Sequence, residues 1–290
     1  MTAAATTVAS QRDIRRRIGA VRNIKQITRA MQFVAASKLK RAQDATLASR
    51  PYSEKLDEVL ADLAAVLGAE DHPLLAQRED GKRLIVLITT DRGLAGPLNT
   101  NTIRYAAREI TGHSGDLSLV TVGRKGRDAM RRAGVPMAAH FTGFGDRPAF
   151  ADVLPVARLV TDDFLAGTYA RVDVIYNRFV STLVQKPEMI QLLPIRATED
   201  TEGIPGNQFI FEPSASAVLE QLVPRYVATR LFQAVLEGKA SEESSRMVAM
   251  KNATENAEDL IEDLTLSYNK VRQSNITREM IEIASGAQAR

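Results

Sequence analysis

From Val218 to about Ser285 the chain reads as a single helix. Pro213 and Pro224 sit near the start of that stretch, no proline follows, and only Gly238 weakens the pattern. Met247, Met250, Thr254, Ala257, Ile261, Leu264, Tyr268 and Val271 recur at alternating steps of three and four. A heptad seam sustained for more than three repeats specifies a coiled coil. With a rise of about 1.5 Å per residue, this helix is roughly 100 Å long. A compact globule of 290 residues has a radius of gyration of only about 19 Å. The expectation is therefore an elongated chain, with a helical rod projecting from a small body.

A seam needs a partner, and the other end of the chain offers one. Apolar residues fall at Ile14, Ile18, Val21, Ile24, Ile27, Met31 and Val34, with steps of three and four. Pro51 is expected to kink or end that helix, and Ser53 fits an N-cap for a second helix over EKLDEVLADLAAVL. Charge favours pairing of the two ends. The first helix carries Arg12, Arg15, Arg16, Arg17, Arg22, Lys25, Arg29, Lys38, Lys40 and Arg41; the last carries Glu242, Glu243, Glu255, Glu258, Asp259, Glu262 and Asp263. Charge alone does not fix the direction of the pair. Past Val271 the next heptad positions are Asn275 and Arg278, while Ile276, Met280, Ile281 and Ile283 stay apolar. Side chains of that kind on a protruding helix imply a socket on another protein.

Between the ends the period changes. LIVLITT (84–90), LSLVTV (117–122) and VDVIYN (172–177) are short, partly β-branched runs. Helical stretches follow them at 101–110, 125–133 and 154–165, the alternation of a parallel α/β sheet. The segment 183–193 adds antiparallel pairing, and TEDTEGIPG (198–206) reads as a surface loop. Three regions result: 1–67, the N-terminal coiled-coil helix and the helix after it; 82–211, the central α/β domain; and 212–290, the long C-terminal helix.

The chemistry is sparse. There is no Cys, which excludes disulfides, thiolate metal sites and cysteine nucleophiles. His72, His113 and His140 are far apart, so a histidine metal site is not expected. The longest aliphatic run, 84–88, falls far short of the roughly 20 residues of a membrane span. The start, MTAAATTVASQRDIRRR, lacks the apolar core of a secretory signal and reads as a frayed terminus. DRGLAGPLN (91–99) and GRKGRD (123–128) each follow a strand, where helix amides can hold phosphate. The first lacks the spacing of a nucleotide-binding loop and reads better as a tight glycine-bearing turn, and the second reads better as a solvated helix start. The pairs Asp162–Asp163 and Glu242–Glu243, and the group Asp259, Glu262 and Asp263, read as solvated helix faces, not acid–base machinery. A basic first helix leaves nucleic-acid binding open as an alternative, although only Phe33 is interleaved as an aromatic.

The two ends also carry specific motifs. IRRRIGAVRNIKQITRAMQFVAASKLKRAQ (14–43) and SEESSRMVAMKNATENAEDLIEDLTLSYNKVRQSNITREMIEIASGA (241–287), with TTDRGLAGPLN between them, resemble the gamma subunit of F-type ATP synthases over nearly the whole chain. The resemblance implies an antiparallel coiled coil of N- and C-terminal helices with a central Rossmann-like α/β domain. It implies a non-catalytic rotor shaft that couples proton flow through the membrane ring to ATP synthesis or hydrolysis in the catalytic head, and so regulates both. The implied partners are the alpha and beta subunits, the epsilon subunit and the membrane c-ring, with one copy per complex and no nucleic acid. The implied place is the cytoplasmic face of the cell membrane, peripherally bound. No cofactor is expected on this chain, because nucleotide and magnesium bind the head.

Residue by residue, the resemblance assigns contacts with the catalytic subunits to Arg272, Gln273 and Thr277. It assigns Met31, beside Arg29, to the same region, and Glu242 and Arg246 to a segment sensitive for coupling. Ile276, Met280 and Ile283 would sit in an apolar bearing. Ala95 stands where the family often has Cys, and no regulatory cysteine segment is present, so thiol control is not expected. No function attaches to the extension 1–9. Two rivals remain alongside: a coiled-coil adaptor for nucleic acid, and a nucleotide-binding α/β enzyme using 91–99 and 123–128.

Overall fold

The computed structural model of the chain describes residues 10–67, 73–78, 81–195 and 211–288; the expected loop at 198–206, the extension 1–9 and His72 lie outside them. In chain order the elements are α1 (Gln11–Leu67), β1 (Arg83–Ile88), α2 (Leu98–Thr111), β2 (Leu117–Val122), α3 (Arg124–Arg132), β3 (Met137–Phe141), α4 (Phe150–Leu165), β4 (Arg171–Phe179), β5 (Gln185–Leu193) and α5 (Ala215–Gln288). They pack as two units, 1–34 with 247–290 and 35–246. The boundary falls inside the two long helices.

The first unit is a helix pair. Ser10 opens α1 with reciprocal bonds to Asp13, hydroxyl to carboxylate at 2.8 Å and Asp13 N–H to hydroxyl at 3.3 Å. On α5 the expected seam is the covered face: Met250 and Ala257 are buried, and Met247, Thr254, Ile261, Leu264, Tyr268 and Val271 are half-buried. The α1 seam differs from expectation. Ile24, Ile27 and Val34 are exposed, and the covered row runs through Ile14, Ile18, Val21, Lys25, Thr28 and Gln32. Only that row keeps the strict alternation of four and three that a coiled coil needs; the exposed row lies about 100° round the helix. Polar members of the seam are matched across it. The Thr254 hydroxyl donates to that of Thr28 at 2.8 Å, and Lys25 meets Glu258 at 2.5 Å. As the α1 number falls from 28 to 25, the α5 number rises from 254 to 258, so the helices are antiparallel.

The second unit is built on a five-stranded sheet of order β3-β2-β1-β4-β5. The first four strands are parallel and β5 is antiparallel to β4. Alternate residues of β1 supply two cores. Leu84, Val86 and Ile88 join α4, α5 and the lower turns of α1, while Ile85 and Leu87 join α2 and α3. The strand β3 escapes a reading based on aliphatic runs because MAAHF is a half-exposed edge strand. Pro51 neither ends α1 nor leaves Ser53 as a cap: the helix continues to Leu67, and Ser53 is buried within it. An interior proline costs about 3 kcal/mol. Burial of Leu56, Leu60 and Leu63 in the core, at about 1.5–3 kcal/mol each, outweighs that cost.

Candidate functional site

Three places combine geometry with unusual exposure or charge. The first is the end of α5. In the antiparallel register Gln11 lies across from Val271, so α5 beyond that point has run past the described start of α1. Arg272, Gln273 and Thr277 are exposed there, as are Ile276, Met280, Ile281 and Ile283. The Thr277 hydroxyl donates back to the Gln273 carbonyl at 2.9 Å. Four exposed large apolar side chains on one segment form an apolar patch of the kind that marks interaction sites.

The second place is the exposed row on α1. Met31 is half-buried and Arg29 is exposed, beside Ile24, Ile27 and Val34. Lys25, with a smaller contribution from Arg29, holds the Glu258 carboxyl below the usual carboxylate range.

The third place is a polar belt on α5, residues 241–246, at the edge of the second unit. Ser241 donates to the Asn177 carbonyl at 3.0 Å, Ser244 to that of Thr182 at 2.7 Å and Ser245 to that of Ala95 at 2.7 Å. Arg246 reaches the Gly93 carbonyl at 3.3 Å and pairs with Glu242 and Glu243 at 2.5 and 2.6 Å. Burial opposes the charge on Arg246, but Glu242 and then Glu243 more than offset it and raise its pKa. Glu242 and Glu243 are therefore buried, not a solvated face as expected. Their neighbours supply the reason: a fixed guanidinium and the Lys239 ammonium, 3.0 Å from Glu242. Glu242 and Arg246 face the chain's own loops. Between the Gly93 and Ala95 carbonyls, held by Arg246 and Ser245, sits Leu94, exposed and held at a positive φ of 62°, a conformation that costs about 1–3 kcal/mol for a non-glycine residue. Sequence reasoning missed Ser241, Ser244 and Ser245; their spacing i, i+3, i+4 places them on one helix face and was the available signal.

The second strand–helix turn does not offer phosphate its amides. The Asp91 carboxylate accepts from the Arg124 N–H at 3.0 Å and the Gly143 N–H at 2.8 Å. The Lys125 N–H goes to the Thr90 carbonyl and the Gly126 N–H to the Thr89 hydroxyl, at 3.0 and 2.8 Å. The first three amides of α3 are thus occupied from within. Gly123, at φ +96°, admits no side chain, because a Cβ would stand 2.2 Å from the Thr89 carbonyl oxygen. Among the described residues no cluster of His, Asp and Glu could hold a metal ion, and no helix is long and apolar enough to cross a membrane.

The family model described as ATP synthase matches residues 10–289. A relative from Pelotomaculum thermopropionicum, "ATP synthase gamma chain", is 46% identical over 280 residues, covering 97% of this chain and 99% of its own. This chain belongs to the ATP synthase gamma-chain family. Gamma chains of Dehalococcoides mccartyi and Chloroflexus aurantiacus are 48% and 47% identical, each over 97% of this chain and 99% and 98% of their own. The fold recurs in the rotor of the Euglena gracilis mitochondrial ATP synthase, with a TM-score of 0.65 at 22% identity over 92% of this chain and 98% of that one. It recurs again in the OSCP/F1/c-ring structure of the same enzyme in rotational state 3, with a TM-score of 0.69 at 23% identity over 96% of this chain and 94% of that one. As a gamma chain it is a component of ATP synthase.

Proposed function

We propose that this gamma chain is the central shaft of its ATP synthase, coupling ion flow through the membrane ring to ATP synthesis or hydrolysis in the head. The observation that carries the reading is the end of α5, which runs past the described part of its partner helix and exposes Ile276, Met280, Ile281 and Ile283 beside Arg272, Gln273 and Thr277. Family membership supplies the setting. The apolar side chains serve as a bearing within the ring of alpha and beta subunits. Arg272 and Gln273 bond carboxylates of a catalytic subunit, and the row around Met31 and Arg29 meets the same subunit lower down. Differential contact with each catalytic conformer is what allows an asymmetric shaft to shift the sites' populations. Glu242 and Arg246 act indirectly, by holding the 93–95 turn.

On this reading the α/β unit meets the epsilon subunit and the c-ring, one copy serves each complex, and the chain lies at the cytoplasmic face of the membrane as a peripheral component. It performs no catalysis and binds no cofactor; nucleotide and magnesium belong to the head. Occupation of the α3 amides by Asp91, Thr90 and Thr89 favours this over a nucleotide-binding enzyme.

Arg272→Ala in the assembled complex is expected to lower ATP turnover while leaving the chain folded, and Arg272→Lys to restore it only partly, because lysine lacks the bidentate fork. Steady-state ATPase assays check this, and unchanged turnover in Arg272→Ala would argue against the role.

A further inference from the structure

We propose that Asp146 is a positioning residue for rotary coupling: it fastens the α/β sheet to both long helices at once. The inference deepens the shaft reading and rests on it. Asp146 lies in the loop between β3 and α4. Its carboxylate is 2.7 Å from Lys38 Nζ on α1 and 3.7 Å from Lys239 Nζ on α5. Among the described residues, both ion pairs that join the sheet's loops to the long helices end on this one side chain. Lys239 also meets Glu242 and Glu243 at 3.0 and 3.6 Å, and these pair with Arg246. A run of alternating charge thus passes from α1 through the sheet's rim to the 93–95 turn.

The surroundings explain why charge does this work. A cavity of about 420 Å³ lies at the carboxyl ends of β1 and β2, with Asp91, Gly145, Asp146, Gly238, Lys239 and Glu242 among its walls. Gly238 presents no side chain to fill it. Close packing, which elsewhere fixes one element against another, is interrupted at this edge. The angle between sheet and helices is then held here by directional polar contacts. The Lys38 hydrogen bond, with Lys239 and Arg92 adding, keeps the Asp146 carboxyl below the ordinary range and so charged at neutral pH. In a shaft, torque entering through the α/β unit reaches the helices through the shared core and, at this edge, through the Asp146 clasp. A loosened clasp lets the unit twist before the helices follow, so ions pass without a matched catalytic step.

The absence of native cysteine makes the test direct. Nitroxides are attached at Arg41→Cys on α1 and Arg131→Cys on α3, both exposed, in the full chain. Their distance distribution is measured by double electron–electron resonance with Asp146, Asp146→Asn or Asp146→Glu. In parallel, ion pumping per ATP hydrolysed is measured in vesicles carrying the complex. The expected result is a broadened distribution in Asp146→Asn, the displaced population rising up to about fivefold, as exposed ion pairs support. Pumping per ATP falls while hydrolysis continues, and Asp146→Glu restores both. An unchanged distribution overturns the proposal, as does a broadened one with full pumping per ATP. Unchanged turnover in Arg272→Ala, run alongside, marks failure of the shaft reading itself and removes the coupling role with it.

Discussion

Two stretches of the same helix invert the usual relation between polarity and burial. In the belt of α5, Ser241 and Ser244 are 0% exposed and Glu243 is 1% exposed; near its end Ile283 is 73% exposed. The belt is buried because every buried side-chain polar atom in it but one Glu243 oxygen finds a partner on a loop or a neighbouring turn, which removes most of the desolvation penalty. Near its end α5 lies beyond the described start of α1, opposite Val271. Hydropathy describes what a residue prefers, whereas burial follows from what stands opposite it. Polar groups fasten the helix inside this chain, and apolar groups wait for another chain.

The comparison breaks most sharply at Arg246. Arg246→Ala strips Glu242 and Glu243 of their main counter-charge and is expected to cost about 3–5 kcal/mol, as for one partner of a buried pair. Urea unfolding of the full chain measures it, and a loss below about 1 kcal/mol would mean that the belt is wetter than described. Next in size is Ser245→Val, which leaves the Ala95 carbonyl without its donor and introduces a branched side chain at the contact. A loss of about 1–3 kcal/mol is expected in the same assay.

The smallest effect belongs to Glu237, one turn before the belt. Burial, first of all, raises its carboxyl pKa, and one of its oxygens has no partner. A raised carboxyl pKa means that the favourable contribution is complete below the unfolded-state pKa and is lost as pH rises through the folded one. Glu237→Gln is therefore expected to stabilise the chain slightly at pH 7, with the gain vanishing toward pH 4. Thermal unfolding at the two pH values reads it; equal shifts at both would remove the assignment. Glu258 and Asp146, whose pKa values are lowered, act in the opposite sense: their contribution is present above the unfolded-state carboxylate pKa and fades as pH falls.

Much of this architecture was legible in the amino-acid order. The α5 seam, three parallel strands and the final strand of the sheet all follow from periodicity. The α1 seam did not, because two apolar rows lie side by side and the buried one passes through Lys25 and Thr28, whose matches are on a helix more than 200 residues away. Pro51 misled because propensity was weighed without the leucines packed behind it. The belt was hidden for the same reason as the seam: a serine signals nothing until the carbonyl it meets is known. The exposed isoleucines after Val271 were legible, since a heptad that loses its apolar positions while the sequence stays apolar points outward.

The central claim is that the end of α5 is open in the isolated chain and enclosed in the working complex. A single cysteine at Ile283, the only thiol in the chain, reports this through its rate of reaction with a maleimide. Fast labelling of the free chain and strong protection in the assembled, active ATP synthase are the expected pair of results. Equal rates in both states would contradict the bearing and the shaft reading that depends on it.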